Sequence, residues 1–474
     1  MLELRDWQQA DVDRITRSIN MNAGALVTSA PGAGKTVVSV EVAKRLQPET
    51  LLIIAPPVTH ESAWSRTLES QGYPHQARQL IGTAKGKQAF RDLQNNVPGV
   101  YITSVQWFAR QKWANIHPDM VIFDEIHQAA RYGNVAMKRL VGFGNSKGLS
   151  AKYRIALSGT PFRNSFENLW TVVKWVEPSK VNDNFWVWRQ LECETRYSPF
   201  APQNREVIGE RVPGRLVNSL TCYISHLQRE SCCKYHPHGF LSTLPEPARV
   251  DRIVPMTTEQ GAFYRGIEKQ YVAWLSEPDG NGKVPVYAEL PITARTMLRS
   301  CALALPAINE AGDLYYRPDA PSPKLDAFID DLAALDGKRV LAVTHRTSFI
   351  PIAVERIRSA GYSVVEWSGS TTPKQRAEIL KRFQAGEIDV ILANPEAIGT
   401  GADGLQQASS TLAILSLSDD ATTSTQMIGR LDRLGQTEQV TIISYMADKS
   451  LEVGHLDSQL RKLLNLNRSL ERKS

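Results

Sequence analysis

The sequence predicts an α/β fold in which two parallel-sheet domains flank a mainly helical insertion. Three observations predict it. Residues 24–160 hold the apolar runs of "GALVTSAPGAGKT", "TLLIIAPP", "GVYITSVQ", "DMVIFDEIH" and "RIALSGTP", each closing on polar or glycine-rich residues. Residues 338–446 repeat the style in "RVLAVTHR", "YSVVEWSG", "DVILANPEA", "TLAILSLS" and "VTIISYM". Residues 177–322 are richer in proline and tryptophan and weaker in periodicity. The expected domains are therefore 1–176 and 323–450, with an insertion and linker over 177–322 and a basic C-terminal helix over 451–474.

Each apolar run is short enough to be a buried parallel strand, and the intervals leave room for crossover helices. In such sheets ligands gather at the carboxyl ends of the strands. In the second half, "SFIPIAVERIRSAG" and "PKQRAEILKRFQAG" read as amphipathic helices. In the middle, "TTEQGAFYRGIEKQYVAWL" reads as a helix, whereas "CETRYSPFAPQNREVIGERVPG" and "SEPDGNGKVPVYAELP" read as loops or turns. "RPDAPSPK", 317–324, reads as a hinge into the second half.

Composition excludes several classes. Hydrophobic residues make up 42% and charged residues 22%, the balance of an ordinary globular chain. No apolar run approaches the ~20 residues of a membrane span, so no membrane role is expected. The start "MLELRDWQQADVDRI" is polar and acidic early, unlike a signal peptide. The 5 cysteines show no regular spacing, which fits a reducing cytoplasm. A net charge of +6 permits a nucleic-acid partner without demanding one.

Chemistry enters at "SAPGAGKT", Ser29 to Thr36, directly after an apolar run. It keeps the last glycine, the lysine and the threonine of the phosphate-loop pattern, with Ser29 in place of the first glycine. The loop residues Pro31, Gly32, Ala33 and Gly34 would wrap backbone N–H groups round phosphate oxygens, and the following helix would point its positive end there. Lys35 would reach the β- and γ-phosphates of ATP, and the Thr36 hydroxyl would ligate Mg²⁺. "VIFDEIH" then puts Asp124 and Glu125 at a strand end. With a phosphate loop upstream, Asp124 is expected to hold Mg²⁺ and Glu125 to position and deprotonate the attacking water. His127 either links this site to a neighbouring motif or is a surface histidine.

"TQMIGRLDRLGQT", 425–437, reads as a helix with Gln426, Arg430 and Arg433 on one face and Met427, Leu431 and Leu434 on another. Gly435 suits a left-handed stop. The two guanidiniums are placed to meet the charge that spreads over a transferred γ-phosphate, provided the second domain closes on the first.

These residues resemble a superfamily-two helicase motor, and within it the Swi/Snf-type double-stranded DNA translocases. The resemblance runs over most of 4–445. "LRDWQ" is similar to the family's opening Leu-Arg-x-Tyr-Gln, which implies that Gln8 reads the adenine. "LLIIAPPVTHESAW" resembles the next motif, Trp64 included. "YITSVQ" resembles the Thr-Ser pair that touches the nucleic-acid backbone, here Thr103 and Ser104. "ALSGTPFRNSFENLWTVVKWVEP" resembles the Leu-Thr-Gly-Thr-Pro motif and its sequel, making Ser158 and Thr160, with His127 and Gln426, candidate coupling residues. "LDRLGQT" resembles the ending Arg-Ile-Gly-Gln, so Arg430 and Arg433 take arginine-finger positions. "LSTLPEPARVDRIVPMTTEQGAFYRGI" is similar to the segment that runs through Leu-Pro into a helix with Gln and Tyr, here Gln260 and Tyr264. Two departures stand out. "AIGTGADGLQQAS" replaces a Gly-Leu-Gly-Leu-Asn run, and its Asp403 would contact ribose or the coupling network. "SHLQRESCC" replaces paired arginines.

The resemblance implies two RecA-like domains, ATP with Mg²⁺, and a DNA partner gripped largely without regard to sequence. The expected activity is ATP-driven translocation on duplex or branched DNA, for fork remodelling, branch migration or annealing in replication and recombination. The expected setting is a compact bacterial or phage-type protein in a bacterial or phage-infected cytoplasm. Two alternatives stay open: an RNA or single-strand helicase, which shares the Asp-Glu-x-His box, and a nucleotide-gated DNA clamp without productive turnover.

Other signals weigh less. Cys232, Cys233, His236 and His238, with His226 nearby, evoke zinc, but adjacent cysteines share one tetrahedral ion poorly. Phe185 and Trp188, at i and i+3, read as core rather than a stacking platform. The basic tail, Arg461, Lys462, Arg468, Arg472 and Lys473, is either a phosphate contact or a solvated helix end.

Overall fold

The computed structural model describes residues 3–453 except 22, 58, 114–115, 143–147, 160–164, 198–201, 228–233, 236, 242, 277–282, 310–312, 336, 400–403 and 417–420. The described chain forms two compact units that divide between Thr243 and Leu244.

The first unit is built on a seven-stranded sheet. Its strands are β1 (Ala25–Val27), β2 (Thr50–Ile54), β3 (Ala77–Gln79), β4 (Gly99–Thr103), β5 (Met120–Phe123) and β6 (Tyr153–Leu157), joined by Tyr223–Ile224. All neighbours pair parallel. Successive residues of a strand face opposite sides. Leu52 and Ile54 of β2 therefore enter one apolar layer with Phe108 and Trp170, while Leu51 and Ile53 enter the other with Trp64 and Val40. This double burial is why the strands read as unbroken apolar runs rather than alternating ones. Helix α1 (Asp6–Asn20) and helix α2 (Lys35–Leu46) pack on one of these faces through Val12, Ile15 and Val42.

After β6 the chain makes an antiparallel ribbon, β7 (Cys193–Tyr197) with β8 (Arg205–Glu210), and then returns to the sheet edge as β9 (Tyr223–Ile224), beside β1. The second unit opens on β10 (Ala248–Val254), then a ribbon of β11 (Val272–Ser276) and β12 (Lys283–Tyr287), and a shorter one of β13 (Ala307–Ile308) and β14 (Leu314–Tyr315). β15 (Val340–Val343), β16 (Val364–Trp367), β17 (Val390–Ala393), β18 (Thr411–Ile414) and β19 (Thr441–Ala447) follow. With β10 they form a parallel sheet ordered β10-β19-β18-β15-β17-β16. Here too Leu341 and Val343 face one layer and Val340 and Ala342 the other.

Every run expected to be a strand is one. The middle piece holds the expected helix as Thr258–Gln270 and a helix Phe185–Glu192 that carries the i, i+3 pair Phe185 and Trp188, but also a helix Pro291–Leu303 and strands that the sequence pattern did not indicate. The helix expected through "VAWL" stops at Gln270, because Tyr271 turns left-handed (φ 56°) and Val272–Ser276 pairs with Lys283–Tyr287. "CETRY" and "REVIGE", read as loops, pair with each other. Two-stranded ribbons need few apolar residues, so they leave a weak pattern. The stretch 317–324 lies inside the second unit rather than between the units. Phe185 and Trp188 are buried, while Trp186 is 40% exposed, as core packing requires.

Candidate nucleotide-binding and hydrolysis site

The carboxyl edge of the first sheet collects the residues the sequence singles out. β1 runs into Ser29–Gly34, and α2 begins at Lys35 with Gly34 at its N-cap. Gly32 and Gly34 have φ of 87° and 76°, a left-handed backbone that L side chains adopt only with strain. The Lys35 ammonium donates to the carbonyl of Ser29 at 2.7 Å, folding back on its own loop. Thr36 follows in the first turn of α2, and Ala33 is buried beneath the loop. Pro31 lies against Gly159, where an added Cβ would sit 3.4 Å from the proline ring. Gln8 of α1 caps its own helix through Arg5 N–H at 3.1 Å, and its amide nitrogen packs on Gly34.

Asp124 and Glu125 follow β5. Asp124 is buried, and both its oxygens accept: one from Trp64 Nε1–H at 3.0 Å, one from the Glu125 N–H at 3.0 Å. Burial pushes the Asp124 carboxyl up to about 6, and the neighbouring Glu125 charge pushes the same way. The Trp64 bond, the Lys35 charge and the Glu125 N–H pull it back. Glu125 itself is left-handed, φ 50°, an uncommon conformation for a side chain of this size. That turn brings its Oε2 to 3.1 Å from His127 Nδ1, which also lies 2.8 Å from Ser158 Oγ. Ser158 follows β6, and its N–H bonds Val27 O of β1 at 3.0 Å. His127 is thus buried and linked to the neighbouring motif, not a surface histidine. A buried carboxylate and a hydroxyl in the first turn of the loop helix are hard oxygen donors of the kind Mg²⁺ takes.

The structure corrects two readings. Thr103 is fully buried and donates to Leu80 O at 3.2 Å, so its side chain has no open face for a nucleic-acid phosphate. Its neighbour Ser104 caps the helix Val105–Arg110 by accepting from Trp107 N–H at 3.1 Å. In the second unit, the helix expected over 425–437 ends at Ile428. Gly429 weakens further helix, and the chain continues in turns. Gln426 lies in the helix; Arg430 and Arg433 lie beyond it, so the three share no helical face. Met427 and Leu431 anchor the segment in the core. Gln436, which the sequence reading did not single out, fixes the arginine turn: its amide donates to Ser409 O at 3.0 Å and accepts from Thr437 and Glu438 N–H. Gly435 does adopt the left-handed conformation, φ 94°. Thr160, Asp403, Cys232, Cys233 and His236 lie outside the described residues. Among the described residues no group of acidic, histidine or cysteine side chains is arranged to hold a metal by itself.

Known proteins match along the whole chain. Residues 1–163 match the family "Type III restriction enzyme, res subunit", and residues 323–435 match "Helicase conserved C-terminal domain". The Schizosaccharomyces pombe SWI/SNF chromatin-remodeling complex subunit snf22 is 23% identical over 97% of this chain and 27% of its own length. Human chromodomain-helicase-DNA-binding protein 1 is 21% identical over 98% of this chain and 26% of its own. A RAD54-like DNA repair and recombination protein of Drosophila willistoni is 23% identical over 72% and 44%. The chain thus spans about a quarter of the first two relatives. A solved "Sulfolobus solfataricus SWI2/SNF2 ATPase core in complex with dsDNA" superposes loosely, with TM-score 0.42 and 15% identity over 99% of this chain and 94% of that one, too loosely to bear argument. With a matching family on each of its two sheet domains, the chain belongs to helicase superfamily two, with SWI/SNF-type proteins among its relatives.

Proposed function

We propose that the chain is an ATP-driven translocase on duplex or branched DNA. One observation carries the reading: the phosphate loop, the Asp124–Glu125 pair, His127 and Ser158 lie together at one sheet edge, with His127 Nδ1 2.8 Å from Ser158 Oγ and 3.1 Å from Glu125 Oε2. The loop amides and Lys35 would bind the phosphates. Thr36 and Asp124 would hold Mg²⁺, which when bound would supply neutralisation of phosphate charge. Glu125, held by His127, would orient the attacking water and take its proton. Ser158, bonded to the same histidine, would report the state of Glu125 to the motif after β6. Gln8, packed on Gly34, would read the adenine. Arg430 and Arg433 would meet the charge of the transferred phosphoryl group. Asp403, Thr160 and Gln426 remain candidates for nucleotide contact and coupling, and Ser104 for a backbone contact to DNA.

The relatives support DNA as the track, since two carry DNA in their printed names. Fork remodelling, branch migration or annealing are the tasks we assign, within a bacterial or phage-infected cell. No described helix is long and apolar enough to cross a membrane. The test is steady-state phosphate release with Mg²⁺, with and without duplex DNA. Stimulation that disappears in Lys35→Ala and Glu125→Gln is expected. Unchanged turnover in either variant would remove the site assignment. Stimulation by RNA or single strands alone would change the track, and tighter DNA binding with ATP but no phosphate release would make the chain a clamp.

A further inference from the structure

A second buried cluster meets the phosphate loop from the side of β9. β9 runs parallel to β1, and the pairing continues past both strands. Thr28 N–H donates to Ile224 O at 2.8 Å, Ala30 N–H to His226 O at 2.9 Å, and His226 N–H to Ser29 Oγ at 3.1 Å. Ser29 is also the residue whose carbonyl receives the Lys35 ammonium. The main chain of His226 is therefore part of the loop's frame.

Its side chain reaches a different element. Nε2–H donates to Asp11 Oδ2 at 2.7 Å, and the ring stands edge-on to Trp7 with centroids 4.8 Å apart. Trp7 and Asp11 are one turn apart on α1, and Gln8 of that helix packs on Gly34. His226 and Asp11 are 4% and 8% exposed, so neither is there to be solvated. A carboxylate this buried is tolerated only with a partner, and the partner spans from the loop's first residue to the helix that carries Gln8.

We propose that His226 is a positioning residue for the nucleotide: through Asp11 and Trp7 it fixes α1, and Gln8 with it, against the phosphate loop, and so sets the preference for adenine over guanine nucleotides. The proposal rests on the reading of the Lys35 loop as the ATP site. It gives a use to the "SHLQRESCC" stretch, whose histidine stands in the segment where the resemblance leads one to expect arginines.

The test is titration of the full-length chain with fluorescent ADP and fluorescent GDP, alongside KM and kcat for ATP. His226→Phe keeps a ring on Trp7 and drops the bond to Asp11. We expect its ADP affinity to fall roughly tenfold, the range of one charge-assisted hydrogen bond, with little change for GDP. KM for ATP rises, while kcat at saturation stays within about twofold. His226→Gln, which can still donate to Asp11, restores most of the ratio. Asp11→Asn, which keeps an acceptor, is the milder variant and narrows the ratio less. A wild-type ADP-to-GDP ratio in His226→Phe, with an unchanged thermal midpoint, overturns the proposal. Failure of the wild-type chain itself to bind ADP more tightly than Lys35→Ala would instead overturn the ATP-site reading beneath it.

Discussion

Glu125 sits in a left-handed turn that a glycine would take at no cost, and the compensation is the contact with His127 at 3.1 Å. The general base we propose Glu125 to be needs that kind of fixing. Glu125→Gln should therefore hydrolyse ATP at least about a hundredfold more slowly while binding it as tightly as wild type, measured by phosphate release and nucleotide titration together. Gly34 offers a second test at this scale. A Cβ there would fall 2.4 Å from the Gln8 amide nitrogen, at a φ of 76°. Gly34→Ala should cost about 1–2 kcal/mol of stability and weaken nucleotide binding roughly tenfold, read by denaturant unfolding and titration. Glu210, in the first unit, gives a pH signature of its own. It accepts from Gly214 and Leu216 N–H, and burial pushes its carboxyl up to about 7. The folded chain therefore takes up a proton that the unfolded chain releases above about 4.5. This carboxyl's contribution to stability is gained as pH falls through about 7 and lost as it rises. The stability gap between wild type and Glu210→Gln should shift toward wild type between pH 8 and 6, by urea unfolding. The places of Lys35 after β1 and of Asp124 and Glu125 after β5 were legible because a phosphate loop and an acidic strand end are local patterns. The roles of Trp64, Asp11 and His226 were not, because their partners lie 60 and 215 residues away in the chain.

At the scale of elements, the central strands were the most legible feature, since burial on both faces demands continuous apolar runs. The edge strands β3, β9 and β10 were not. β10 is exposed along Arg249–Ile253 and β3 has no fully buried residue, so neither carries a core pattern. The helix stop after Ile428 was also misread, because the amphipathic spacing continues through residues that the chain uses in turns. One element junction rests on a charge pair that no pattern announces. Lys324, at the start of the helix Pro323–Ala334, is buried and bonds Glu452 at 2.7 Å and Leu415 O at 3.2 Å. Glu452 also accepts from Ala447 N–H at 2.9 Å, closing the end of β19 onto that helix. Burial pulls the Lys324 ammonium below its usual range, and Glu452 counters it. Removing one partner leaves an uncompensated buried charge. Lys324→Met should cost about 3–5 kcal/mol of second-unit stability. The Lys324→Met/Glu452→Leu double variant should lose less than the sum of the singles, as a double-mutant cycle by chemical denaturation will show.

At the scale of the molecule, the two sheet domains follow from two sets of buried strands, and the family matches fall on the same two regions, 1–163 and 323–435. The middle of the chain contributes to both units instead of standing apart. Tyr223–Ile224 extends the first sheet and Ala248–Val254 the second. That division was not legible, because a two-residue strand has no period and an exposed edge strand has no apolar face. Arg430→Ala and Arg433→Ala lie in the second unit. Each should abolish turnover while nucleotide binding by the first unit is kept, measured as phosphate release against fluorescent-ADP titration. If, as we propose, this chain couples ATP hydrolysis to DNA, steady-state phosphate release with Mg²⁺ should depend on whether duplex, branched or single-stranded DNA or RNA is added. We expect strong stimulation by duplex or branched DNA, absent in Lys35→Ala; hydrolysis indifferent to DNA, or stimulated by RNA alone, would show that the coupling is not there.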